Sequence, residues 1–253
     1  MNTIKTTIRD NTAVIGLDNG RSNAINAGMV SELTNMVRSI ESDDNIGGLI
    51  ITGKEGFFSA GLDLIELFDY DEITIRKFWE DFLGLVSTLA SFKKPFISAI
   101  SGHSPAGGCV IALCSDYRIM AEGKFVIGLN EVPVGIIVPD NIFHLYSFWL
   151  GQAQAYRFLL EGKLMNTQEA LENRLIDQVV DPGSLVSSAE RQMQKYLQLD
   201  RNTWQQSKLN LRKELLMKVN ADQSESLDMM LKQWWSPNTR SILQTIIGNL
   251  QKK

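Results

Sequence analysis

Glu131 is the one ionisable side chain in Gly-Leu-Asn-Glu-Val-Pro-Val-Gly-Ile-Ile-Val-Pro (128–139), with Leu129, Val132, Pro133, Val134, Ile136 and Ile137 around it. A carboxyl group in apolar surroundings loses hydration, its pKa climbs toward neutrality, and it becomes able to take a proton and return it. The alternative for such a residue is a loop or helix-end glutamate bonded to backbone. Two glycine-bearing turns, Ser59-Ala60-Gly61-Leu62-Asp63 and Pro105-Ala106-Gly107-Gly108, offer a complementary chemistry. N–H groups at a helix start have no internal partner and sit at the positive end of the dipole. Two such turns at neighbouring strand ends could aim their N–H groups at one carbonyl oxygen and hold the negative charge that develops there.

A hydrolase would use Ser104 as nucleophile with His103 or His144 as base. The nucleophile turn of that chemistry needs Gly-x-Ser-x-Gly, and the chain has Gly102-His103-Ser104-Pro105-Ala106, with a proline where an N–H is wanted. Ser104 is therefore expected to satisfy local backbone groups and His103 to pack in its loop. Cys109 and Cys114 stand five apart inside an apolar run, a spacing of neither a zinc site nor a redox pair, and are expected as buried thiols. No metal and no separate cofactor is expected.

The elements that must position these groups are partly visible. Ile4–Ile8 and Ala13–Leu17 alternate as a hairpin about Asp10-Asn11, and Asn26 opens a one-faced helix through Ile40. The continuous apolar runs 48–53 and 95–100 predict strands buried on both faces of a central sheet. Each leads through one of the glycine turns toward a helix, and Pro105 suits the start of the second. Ile73–Phe92 reads as a long amphipathic helix. Beyond Gly151 the pattern is almost wholly helical, which places the chemistry before residue 150. Met229-Met230-Leu231 and Trp234-Trp235 read as subunit-interface packing rather than a ligand cage.

The 253 residues carry 25 basic and 29 acidic side chains, a net charge of −4, which argues against a general binder of nucleic acid or anionic membrane. No apolar run approaches the roughly 18 residues a spanning helix needs. The first ten residues hold Lys5, Arg9 and Asp10 without a signal-like apolar stretch, so a bacterial cytoplasm is expected first and an organelle matrix second.

Taken together, Ser-Ala-Gly-Leu-Asp-Leu (59–64), Pro-Ala-Gly-Gly-Cys (105–109), Asp-Tyr-Arg-Ile (116–119) and Gly-Leu-Asn-Glu with Val-Gly-Ile-Ile-Val-Pro (128–139) resemble the crotonase (enoyl-CoA hydratase/isomerase) superfamily. Within it they are most similar to Δ3,Δ2-enoyl-CoA isomerases of the mitochondrial type. The likeness spans roughly residues 1–200, and the order of several motifs makes it specific. It implies an α/β fold, a spiral of ββα units, with an acyl-CoA-binding core at 1–200 and a helical trimerisation region at 201–253. It implies an acyl-CoA thioester substrate and a homotrimer or dimer of trimers.

By the same resemblance the oxyanion donors are the N–H groups of Leu62 and Gly107, and the catalytic carboxylate is Glu131 with Asn130 beside it. Contacts to the coenzyme A moiety fall on Asn23, Ala24, Ile25, Ala60, Asp63 and Leu64. Hydratases of the superfamily carry a second glutamate at the position of Val110, which cannot activate water. The expected reaction is thus conversion of 3-enoyl-CoA to 2-trans-enoyl-CoA by one carboxylate. A dienoyl-CoA isomerase would pair Glu131 with an aspartate close to Asp140, but the match is displaced by one residue and Asp140 reads as a helix N-cap. A non-catalytic binding protein on the same fold is the alternative from another class, and the acidic balance gives RNA binding no support.

Overall fold

A computed structural model describes residues 2–251. The chain opens with a hairpin, β1 (Ile4–Arg9) and β2 (Thr12–Leu17), whose turn puts Asp10 at φ 52°, a region that aspartate tolerates better than most side chains. In α1 (Ala27–Ser42) the Asn26 side chain accepts the Met29 N–H at 3.0 Å, and Met29, Val30, Leu33, Val37 and Ile40 form the buried stripe. Three successive coils then repeat one pattern of strand, short strand and helix. The first is β3 (Gly48–Thr52), β4 (Gly56–Phe57), α2 (Leu64–Phe68) and the long α3 (Glu72–Ala90). The second is β5 (Phe96–Ile100), β6 (Gly102–Pro105) and α4 (Gly107–Leu113). The third is β7 (Tyr117–Ala121), β8 (Val126–Gly128), a 3-10 turn at Val132–Val134 and α5 (Asp140–Leu150).

Each coil adds one strand to each of two sheets. β3, β5 and β7 run parallel in the six-stranded sheet β1-β2-β3-β5-β7-β10, while β4, β6 and β8 run parallel in the four-stranded sheet β4-β6-β8-β9, with β9 (Leu164–Asn166) and β10 (Gln178–Val180) as the late members. Ile50, Ile97, Ala99 and Ile119 pack on one side against Leu185, Ala189 and Met193 of α8 (Leu185–Leu197). The alternate residues Leu49, Ile51, Phe96 and Ile100 join the larger core with α1, α3 and α4. Two-sided burial is why these strands read as unbroken apolar runs rather than alternating ones.

The remaining helices are α6 (Gln152–Glu161), α7 (Thr167–Glu172), α9 (Arg201–Leu211), α10 (Lys213–Val219), α11 (Ser224–Trp234) and α12 (Pro237–Leu250). Among the described residues no helix is long and apolar enough to cross a membrane.

Four expectations are corrected. The stretch after Gly151 includes β9 and β10, three residues each, too short to show a period. Pro105 ends β6 and the helix begins two residues later. Asp140 is the first residue of α5 and Pro139 holds the capping position, so the acid complements the dipole without bonding as a cap. Met230, Leu231 and Trp234 are buried inside their own chain, leaving Met229 as the exposed member of that group.

The C-terminal helices are fastened to the core by charge. Lys208 Nζ donates to the Lys94 carbonyl at 3.0 Å and to Asp116 Oδ2 at 2.7 Å. Arg212 donates to the Cys114 and Ser115 carbonyls at 3.0 and 2.9 Å and pairs with Asp116 Oδ1 at 3.2 Å.

Candidate active site

The turn between β4 and α2 is laid against the segment before α1. Ile25 N–H donates to the Gly61 carbonyl at 2.8 Å, and Asp63 N–H donates to the Ile25 carbonyl at 2.9 Å. Ile25 and Leu62 thus form a two-residue parallel bridge, in which the peptide groups of Leu62 itself point the other way. The Leu62 N–H meets no acceptor among the described residues, and neither does that of Gly107, the first residue of α4.

The two turns touch. Gly61 has φ +88°, and a Cβ there would stand 3.1 Å from Ala106 Cβ and 3.4 Å from the Gly107 nitrogen. A side chain at Gly108 would fall 2.7 Å from the Ser59 carbonyl oxygen, so the approach of α4 to the first turn depends on glycine. Between them Ala106 adopts φ 48°, ψ −122°, a strained region for a residue with a Cβ. Its N–H donates to the Gly128 carbonyl at 2.8 Å, which ties the second turn to the end of β8.

Two residues past Gly128 the chain delivers Asn130 and then Glu131. The Glu131 carbonyl accepts the N–H groups of Val134 and Ile136 at 3.1 and 3.0 Å, so the backbone is fixed while the side chain turns inward. Glu131 is only 6 % exposed, its Oε2 has no hydrogen-bond partner among the described residues, and burial pushes its pKa up to about 7. That is a proton acceptor poised near neutral pH.

A cavity of about 460 Å³ connects these groups. Leu62, Gly107, Glu131, Asn130, Ala24, Ala60, Asp63 and Leu64 all line it, as does Val110. Asn23 and Ile25 do not. Asn23 is fully buried, accepting the Asn19 N–H at 3.0 Å and donating to the Phe58 carbonyl at 3.1 Å, and so holds the loop, while Ile25 spends both peptide groups on aligning Leu62. Asp63 caps α2 by accepting the Glu66 N–H at 3.2 Å. Asp140 is exposed and lies on a neighbouring surface groove rather than this cavity. Ser104 is fully buried, and His103 accepts the Val126 N–H on Nδ1 at 3.2 Å, so neither forms a nucleophile–base pair.

The apolar wall was the part not anticipated: Trp79 and Phe82 of α3, Ile142 of α5, and Ile246 and Leu250 of α12. The Trp79–Phe82 spacing marks one helical face, but nothing distinguishes a face lining a cavity from one filling a core. The exposed rim carries Arg21 and Gly20.

The profile of the family described as Enoyl-CoA hydratase/isomerase matches residues 7–245. The chain is 36% identical over 212 residues to the mouse protein "Enoyl-CoA delta isomerase 1, mitochondrial", covering 83% of this chain and 72% of that one. It is 32% identical over 168 residues to a "Probable enoyl-CoA hydratase" of Rhizobium meliloti, covering 66% and 64%. The crystal structure of human mitochondrial delta3-delta2-enoyl-CoA isomerase superposes with a TM-score of 0.94 at 28% identity, covering 99% of this chain and 98% of that one. With its two-sheet coil, its paired amide turns and this match over nearly its whole length, the chain belongs to the enoyl-CoA hydratase/isomerase family, the crotonase superfamily.

Proposed function

We propose that the protein is an acyl-CoA double-bond isomerase that converts 3-enoyl-CoA to 2-trans-enoyl-CoA. The thioester carbonyl oxygen lies between the N–H groups of Leu62 and Gly107. Glu131 removes a proton from C2; the electron pair flows onto the carbonyl oxygen, giving a dienolate. The same carboxyl then delivers its proton to C4, leaving the double bond between C2 and C3. No water is added and no group leaves. The two amides stabilise charge that exists only on the path between substrate and product, where one such donor is worth about 2.7–4 kcal/mol.

The observation that carries this reading is the lone buried carboxyl. Glu131 faces a cavity in which Val110 occupies the place of a hydratase's second glutamate, and Asp63, the other acid on the wall, is committed to capping α2. Adding water calls for an acid and a base around that water; moving a double bond needs one carboxyl. Ala24, Ala60, Asp63, Leu64 and Asn130 are placed beside the coenzyme A and thioester portion, and the Trp79–Leu250 wall takes the acyl chain.

The same proposal includes a homotrimer or dimer of trimers, supported by exposed Tyr156, Leu160 and Leu211, and checked by sedimentation. It keeps a core of residues 1–200, which supplies every polar group of the site, and a helical region from 201, which supplies only apolar wall. The test is to offer 3-hexenoyl-CoA and 2-hexenoyl-CoA separately. Migration of the double bond without hydration is expected. A 3-hydroxyacyl product would replace the reading with a hydratase, and no product from either thioester would remove the enzyme reading altogether.

A further inference from the structure

Tyr146 is fully buried on α5, and its hydroxyl has no hydrogen-bond partner among the described residues. Buried tyrosine hydroxyls normally find one, because leaving a polar group dry and unpaired is costly. Tyr146 stands one helical turn after Ile142, which lines the cavity, and side chains on a helix lean over the turn N-terminal to them. The phenol is therefore directed along the back of the cavity wall. On α4, Cys109 is also fully buried and sits between the cavity residues Gly107 and Val110. The third member is Glu131, whose Oε2 is the carboxyl oxygen shut off from solvent and unpartnered.

The three groups feel one another. Burial first, then Cys109 and Glu131, push the Tyr146 pKa above the ordinary phenol range. Burial and then Glu131 push the Cys109 thiol well up, with Arg118 opposing and Cys114 adding. The thiol is a weak donor. The phenol O–H is a good one, and the carboxylate oxygen is the acceptor it lacks.

We propose that Tyr146 is a positioning residue for the double-bond shift, its hydroxyl donating to Glu131 Oε2 once substrate fills the cavity. The inference rests on Glu131 being the base. In the structure the two oxygens are not bonded to each other, and hydrogen bonds of a catalytic site often tighten only in the substrate complex. The reaction supplies the reason for such an anchor. One carboxyl must reach C2 and then C4, and pinning one oxygen leaves the other to swing between them. A donor to the ionised form also favours that form, so the bond lowers the Glu131 pKa in the complex relative to the free enzyme.

The test is the pair of pH profiles for Tyr146→Phe, a change that deletes a single oxygen. In the native enzyme the acidic limb of kcat is expected to lie below that of kcat/KM, since the first reports the complex and the second the free enzyme. In Tyr146→Phe the kcat limb should rise by about one pH unit to meet the kcat/KM limb, with kcat at pH 6 down roughly fivefold. Binding of hexanoyl-CoA, a saturated thioester, should be unchanged, as should every parameter of Tyr156→Phe, whose exposed ring is outside the site. A kcat limb unmoved by Tyr146→Phe overturns the proposal, whether or not the variant loses stability. If the native protein turns over but Glu131→Gln does too, the base assignment fails instead, a result distinct from failure of the tyrosine.

Discussion

Asp116, with 10 % of its side chain exposed, and Glu131, 6 % exposed, are both largely enclosed carboxylates, and the protein treats them in opposite ways. Asp116 receives the Phe96 N–H at 2.8 Å, Lys208 at 2.7 Å and Arg212 at 3.2 Å, so every oxygen is occupied. Glu131 has no cation near enough to shape its pKa, and its Oε2 is bare among the described residues. Burying a charge is costly unless partners replace the lost water. At Asp116 they do, and the result is a rivet between C-terminal helices and core. At Glu131 they do not, and the uncompensated cost appears as an acid that gives up its proton only near neutrality.

The sharpest way to separate the two is to neutralise each. Glu131→Gln should cut turnover of 3-hexenoyl-CoA by 10²–10⁴-fold or more, about the worth of a general base, while the melting temperature at pH 8 holds or rises. Asp116→Asn should do the reverse. It leaves two cations buried without their shared anion and should cost about 3–5 kcal/mol of stability in urea denaturation, with kcat of the folded fraction preserved. A melting loss in the first variant, or a turnover loss in the second, would dissolve the distinction.

A third variant probes the amides. Gly107→Pro removes an N–H at the first helical position, where proline's missing donor suits a helix, and should lower kcat about 10²–10³-fold. Gly107→Ala is the necessary companion, because a Cβ there meets Ile25 Cδ1 at 3.0 Å and Leu62 Cδ2 at 3.3 Å. If alanine is as damaging as proline, packing rather than the N–H is responsible.

The mildest test is pH itself. A base that must be ionised makes kcat/KM rise through about pH 7. Stability should move the other way. Unfolded, Glu131 releases its proton near 4.5, whereas folded it keeps the proton to about 7, so the folded state binds more protons across that window. Stability is then fully present below pH 4.5, is lost as pH rises to about 7, and is flat above. The slope amounts to something on the order of 3 kcal/mol and should vanish in Glu131→Gln.

Sequence reading singled out Glu131 and both glycine turns because their signals are local: one acid among apolar neighbours, and glycines between apolar runs. It reached the buried strands for the same reason. It could not reach β4, β8 and β9, which are two or three residues long and exist because a neighbour lies beside them, β6 for β4 and β8, and β8 for β9. Lys208, on a polar helix, and Arg212, four residues on at its C-terminal cap, have the spacing of a solvated face, and only tertiary packing turns them inward. Trp234 went the same way: an aromatic pair says that something covers it, not whether the cover is its own chain. The likeness puts coenzyme A contacts at Asn23 and Ile25, whereas their hydrogen bonds set them behind the turn they support, off the cavity wall.

The link from the Ala106 N–H to the Gly128 carbonyl joins the turn that leads into Gly107 to the end of the strand that leads to Glu131, and both ends of that link are main chain. Ordinary amino-acid replacement cannot erase a peptide N–H; only proline can. Side-chain replacement at Val110 or along the Trp79–Leu250 wall can therefore reshape the cavity while this main-chain tie, and with it the approach of the two turns, persists.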